Sequence, residues 1–268
     1  MAAYLPPLDT FLTLGEPRFG RKWTDYSTYG VTREHIADLI RMATDPALQA
    51  GCDSKEIWAP VHAWRALGQV QAAEAIEPLL DLLEQAAKND DDWALNDLPT
   101  VLAMIGAPAI PSLTVFLADN KHDRWPRMAA VDALQDMTER HPETRTECTA
   151  FLIRQLERVA ENPQELNGNL IAHLIDLGAV EAAPAMERAY AAGLVDETIC
   201  GDWEHAQYEL GLTNEPPAED ELPPSTESPF VPLPGFLDDR PPRDHKAKAK
   251  AKARRKMAAK SRRRNRKK

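Results

Sequence analysis

Cysteine is scarce in this 268-residue chain: Cys52, Cys148 and Cys200 are the whole set, and no two form a CxxC. An odd, scattered set excludes a disulfide framework and fits free thiols in a reducing compartment, so a cytoplasmic protein is expected. Long apolar runs are missing too. No stretch of about 18 apolar residues occurs, which excludes a membrane-spanning helix. The opening MAAYLPPLDTFLTLGEPRFGRKW is broken by prolines and lacks the basic start of a secretory leader. The glycines are isolated, so no Gly-rich phosphate loop exists. His62, His141 and His173 show neither HExxH nor any Cys/His spacing suited to zinc, and no metal or other cofactor is expected.

Acidic residues are scarce in the C-terminal region, and that scarcity divides the chain. From Arg243 to the end there are fifteen Lys and Arg against the single Asp244, a net of +14, whereas residues 1–242 carry −24. The overall charge of −10 therefore describes neither part. This asymmetry is the mark of an acidic body with a basic arm for nucleic acid or another polyanion. The cations are Lys246, Lys248, Lys250, Lys252, Arg254, Arg255, Lys256, Lys260, Arg262, Arg263, Arg264, Arg266, Lys267 and Lys268. Charge repulsion and poor apolar content predict a disordered tail. With no aromatic side chain among them, base stacking is not expected, and RNA binding by counterion release is. Two competing readings are a solubilising appendage and a tail folded back on its own acidic body. Between Thr213 and Pro242, nine prolines and seven acids in thirty residues predict a semi-extended linker. Its apolar stretch PFVPLPGFL (229–237) is either a docking motif or a chance patch.

The remaining body repeats. WAPVHAWRAL (58–67), WALNDLPTVL (93–102) and WPRMAAVDAL (125–134) each run from Trp to Leu over ten residues. AIEPLLDLLE (75–84), AIPSLTVFLA (109–118) and AAPAMERAYA (182–191) each place a proline ahead of an amphipathic run, and ECTAFLIRQLE (147–157) is an intermediate unit without one. The period is near 35 residues. Leu79, Leu80, Leu82 and Leu83 form one apolar helical stripe, and prolines in a first turn are compatible with helix. Gly68, Gly106, Gly178 and Gly211 each follow Leu or Ile and are expected as left-handed helix ends. No strict alternation predicts a strand. An all-α fold follows. Pairs this short cannot bury both faces alone, so an α-solenoid of four to five hairpins over 31–212 is expected.

RMAAVDAL, HAWRALGQVQAAEAIEPLLDLL and IGAPAIPSLTVFL resemble HEAT-like repeats of the phycobilisome-lyase type. Arg127, Ala129, Ala130, Ala133 and Leu134 match that family's Arg-x-Ala-Ala-x-x-Ala-Leu helix, while Pro60 and Leu95 stand where its Arg would be. The resemblance covers roughly 55–212. It implies a helical stack and says little of function, since such repeats serve many tasks. Ahead of it, Thr32 is expected to cap a helix over 31–46, with Asp45-Pro46 as its stop. Residues 1–30 read as an extended cap, whose Tyr4, Phe11, Phe19, Trp23, Tyr26 and Tyr29 cover the end of the stack. Residues 197–212 are expected to cap the other end.

Trp58, Trp93, Trp125 and Trp203 each begin a helix that the resemblance places on the concave side. With Asp90, Asp91, Asp92, Asp97, Asp123, Asp132, Asp136, Asp202 and Glu204 nearby, they could line an acidic, aromatic groove for a basic protein segment. Asp97, Asp132 and Asp136 are the chosen acids. The competing reading packs the tryptophans into the seams between repeats. CGDWEH (200–205) places Cys200 near His205, but five residues apart on a helix is a poor alignment, and a structural role is expected. The chain therefore reads as a monomeric, non-enzymatic scaffold with an unidentified protein partner in its groove and RNA or another polyanion on its tail. The alternative, implied by lyase relatives of the repeat family, is an accessory or lyase-like factor acting on a partner protein.

Overall fold

The computed structural model describes residues 4–17, 23–49 and 54–216. Among them no strand occurs, as the spacing predicts. The α-helices are α1 (Phe11–Leu14), α2 (Ile36–Ala43), α3 (Pro46–Gln49), α4 (Ala59–Gln69), α5 (Ile76–Asn89), α6 (Asp92–Ile105) and α7 (Ile110–Ala118). They continue as α8 (Arg124–Arg140), α9 (Arg145–Glu157), α10 (Gln164–Asp176), α11 (Ala183–Ala191), α12 (Glu197–Cys200) and α13 (Trp203–Glu209). Several of the short joints between helices contain a 3-10 turn. Those at Ala73–Ala75, Ala107–Ala109, Pro142–Thr144 and Val180–Ala182 introduce α5, α7, α9 and α11 in the same way.

That shared entry produces two rows. In one, α2 packs on α4, α4 on α6, α6 on α8 and α8 on α10; in the other, α5 meets α7, α7 meets α9 and α9 meets α11. The core lies between the rows, where Leu79, Leu83, Leu98, Leu102, Leu113, Leu117, Leu134, Leu152, Leu170 and Leu174 are all buried. Each such leucine is worth about 1.5–3 kcal/mol of apolar burial. Ala63, Ala66, Ala94, Ala130 and Ala133 lie fully buried in the first row, where small side chains permit close helix approach.

Four findings depart from the sequence expectations. The N-terminal stretch is not simply extended: Leu8–Leu14 and Tyr26–Tyr29 are helical turns, with Tyr4, Phe11 and Tyr26 buried. α2 does end at Ala43, just ahead of Asp45-Pro46, but Pro46 also starts a new helix, because proline's fixed φ suits a first turn. Gly68 is no helix end. It lies inside α4, where an added Cβ would come within 3.3 Å of the Val101 Cα, and Gln71 takes the left-handed position instead at φ 52°. Finally α10 is a full first-row helix that the Trp and Pro markers do not reveal.

What seats α10 is a buried polar network. The Asn162 Oδ1 accepts from an Arg127 guanidinium N–H at 3.0 Å and from the Gln155 amide at 2.7 Å, while its own amide donates to Asn167 at 2.9 Å. Asn167 then donates to the Val159 and Leu194 carbonyls. Every amide finds a partner, so the network satisfies the condition for polar groups inside a core. The linker beyond Pro216, the 229–237 stretch and the basic tail lie outside the described residues, as do Phe19 and Cys52.

Candidate functional site

The outward face of the first row collects the residues that the sequence singles out. Trp93 and Trp125 are each the second residue of their helix, and an aspartate caps each start. Asp91 accepts from the Ala94 N–H at 3.0 Å, and Asp123 from the Trp125 N–H at 3.0 Å. Asp202 likewise caps α13 by accepting from the His205 N–H at 2.8 Å, just ahead of Trp203. These three acids thus terminate helices, a role worth about 1 kcal/mol each. They are not primarily groove residues.

All four tryptophans are half-buried against the core. Trp58 and Trp93 meet edge to face at 5.1 Å, Trp125 carries the Arg124 guanidinium at 5.1 Å, and Trp203 lies 5.8 Å from Tyr190. Both the seam role and the surface role are therefore present in one side chain, with one face packed and the other partly open.

The three chosen aspartates part company. Asp97 is buried and cannot meet a partner: its Oδ2 accepts from Arg65 Nε at 2.6 Å and from Trp64 Nε1 at 3.3 Å. Arg65 is itself 1% exposed, stacked between Trp23 at 4.6 Å and Trp93 at 5.6 Å. Asp97 is the internal counter-charge of α4, a role the sequence reading missed because Arg65 lies thirty-two residues away. Asp132 and Asp136 do remain on the half-exposed face. Asp136 accepts from the Thr100 hydroxyl at 2.9 Å, and Asp132 lies 2.7 Å from His173 Nε2. The carboxylate requires a proton on that nitrogen, so the His173 ring donates to Asp132 and is held across the α8–α10 seam. His173 Nδ1 is sequestered from solvent, which leaves no path for it to act as a base on an outside substrate.

Cys200 packs against α11. The thiol is buried 3.2 Å from the Tyr190 hydroxyl, which donates to the Gly201 carbonyl at 2.9 Å. The His205 ring lies over Gly201, where an added Cβ would come within 2.8 Å of it. Burial pushes the Tyr190 phenol far above its ordinary range, and the neighbouring thiol adds to this. Tyr190, Ala191 and Trp203 floor an open cleft of about 530 Å³ with Glu187, Glu197, Asp202 and Glu204 on its walls. No group of three or more metal-binding side chains occurs among the described residues. No single described helix is long and apolar enough to cross a membrane.

Fold and face together define an all-helical protein of paired helices in two rows, with a half-exposed strip of tryptophan and carboxylate along one of them. A family model described as "Protein of unknown function (DUF1186)" matches residues 52–215, and the chain belongs to that family. The match begins just before α4 and ends just past α13, so it covers the paired rows from α4 onward and leaves α2 outside. No curated protein and no solved structure matches the chain.

Proposed function

We propose that the paired rows are a HEAT-like α-solenoid of the phycobilisome-lyase repeat type, serving as a monomeric, non-enzymatic scaffold. Its first-row face receives a basic protein segment, and its C-terminal tail holds RNA or another polyanion. The observation that carries the reading is the strip formed by Trp93, Trp125, Asp132 and Asp136, half-exposed on adjacent helices. Aromatic side chains with one open face anchor interfaces, and carboxylates beside them select for cationic partners. Arg127 supports the repeat assignment. The motif's arginine is buried and donates to the Leu117 carbonyl at 2.8 Å, bracing the turn between successive hairpins.

The two halves of the proposal separate cleanly in one experiment. The full chain and a chain lacking residues 243–268 are titrated with a labelled RNA homopolymer and, separately, with a lysine- and arginine-rich peptide. Loss of the tail should abolish RNA binding, and in the full chain raising salt from 50 to 200 mM should weaken it roughly 10³- to 10⁵-fold if six to ten phosphates are contacted. Peptide binding should survive truncation and be lost in an Asp132→Lys, Asp136→Lys double variant. RNA binding that is indifferent to truncation refutes the tail assignment, and peptide binding that is indifferent to charge reversal refutes the groove.

A further inference from the structure

Counting from the repeated tryptophan, His62, Arg65 and Gln69 of α4 occupy the positions of Asp97, Thr100 and Met104 in α6, and of Ala129, Asp132 and Asp136 in α8. They form the first rung of the same face. In α4 that rung is covered by the chain itself. The His62 ring is held at both nitrogens, with Nε2 2.8 Å from the Gly15 carbonyl and Nδ1 2.8 Å from the Tyr26 hydroxyl. Gln69 donates to the Thr24 carbonyl at 2.7 Å and accepts the Tyr26 N–H at 2.9 Å. Trp23 lies on the Arg65 guanidinium, and the Phe11 ring is 5.9 Å from that of His62.

We propose that residues 4–17 and 23–31 are a strap latched onto α4 by uncharged His62, and that protonation of His62 releases the strap and uncovers the first rung. The hydrogen-bond chemistry fits this direction. In the neutral ring Nε2–H donates to Gly15 and Nδ1 accepts from Tyr26. In the imidazolium both nitrogens donate, so Nδ1–H would turn to donate to the Tyr26 oxygen, and the buried Tyr26 O–H would lose its acceptor and be left to find another. Among the described residues the charged groups around the ring are Arg65 on α4, Asp97 on α6 (held by Arg65), and Lys55, whose aliphatic stem lies beside Gly15. His62 makes no hydrogen bond to a carboxylate among the described residues.

Burial lowers the His62 pKa below its ordinary 6.5, opposed by the Gly15 hydrogen bond and reinforced by the Arg65 charge. A histidine with a lowered pKa favours the latched form above pH 6.5, and that advantage drains away as pH falls through the latched-state value. With one proton involved, the latching equilibrium should weaken by up to about tenfold per pH unit. Release would expose Arg65 and Trp93 without unstacking the hairpins beyond α4.

Hydrogen exchange of the full chain at pH 7.5 and 5.5, expressed as protection factors, tests this. Segments 8–14 and 23–31 should lose protection at pH 5.5 while α8 to α10 keep theirs. A His62→Gln variant, neutral at both values and able to hold both partners, should stay protected at both. Equal protection of the wild-type strap at the two pH values overturns the proposal, as does a His62→Gln strap that loosens in acid as the wild type does. If the glutamine variant fails to latch at either pH, an imidazole NMR titration of the wild type decides. His62 titrating below 6.5 together with the strap amides upholds the latch, and titration at 6.5 or above, or apart from them, refutes it.

Discussion

Replacing Asp97 with alanine strips the carboxylate from a guanidinium that is 1% exposed and clamped between two indoles. Water cannot take the carboxylate's place without opening the contact between Trp23 and Arg65 or the seam between α4 and α6. Breaking a buried ion pair from one side typically costs about 3–5 kcal/mol. The lost hydrogen bond from Trp64 falls within that range, because at 3.3 Å it is the weaker of the two. For a body of this size each kcal/mol moves the melting temperature by about 2–4 °C, so Asp97→Ala should melt roughly 6–20 °C lower. Thermal unfolding followed by far-ultraviolet circular dichroism measures the shift. The paired change Arg65→Met, Asp97→Leu should recover most of it, since well-packed apolar replacements of a buried pair are often neutral or stabilising. An Asp97→Ala protein within about 1 kcal/mol of the wild type would refute the reasoning, and so would a double variant as unstable as the sum of its parts.

Two further outcomes follow from the packing. A Cβ at Gly168 would sit 2.7 Å from the Asp196 carbonyl oxygen and 3.2 Å from the Ile199 Cβ, so Gly168→Ala should cost about 1–3 kcal/mol in urea unfolding; an unchanged midpoint would show that α12 yields freely. Cys148 and Cys200 are both buried thiols outside any disulfide, and burial pushes the Cys148 thiol up, so a Cys52→Ser protein should show no fast thiol in its native state toward an aromatic disulfide reagent and two after unfolding. One rapidly labelled equivalent before unfolding would contradict that packing.

The second-row helices were the easiest part to read in the sequence. Pro78, Pro111 and Pro184 each stand in a first helical turn, where proline costs nothing, and the leucine stripe behind Pro78 has the helical period. α10 was opaque for a local reason. Its Asn167-Gly168-Asn169 has poor helix propensity and reads as a turn, but Asn167 is consumed by the network around Asn162, and Gly168 allows α12 to approach. Tertiary contacts override propensity there. The candidate site was half legible. The tryptophans' positions were visible in the spacing, as were Asp132 and Asp136. Asp97 was misplaced because nothing within its own helix marks it as a counter-charge, and His62 could be read only as no zinc ligand because its partners, Gly15 and Tyr26, lie 47 and 36 residues away. One local signal was available: an aspartate two residues ahead of Trp93 and Trp125, and one ahead of Trp203, is a helix-starting pattern.

The close seat of α12 on Gly168 also bears on how the molecule meets copies of itself. Stacked hairpins have an inherent tendency to go on adding units, and a bare terminal pair is adhesive. Here the 196–199 turn presses its own backbone flat against that final pair, with the Asp196 N–H bonded to the Gln164 carbonyl at 3.1 Å. A neighbour's helix would have to evict this turn before it could lie down in the same place.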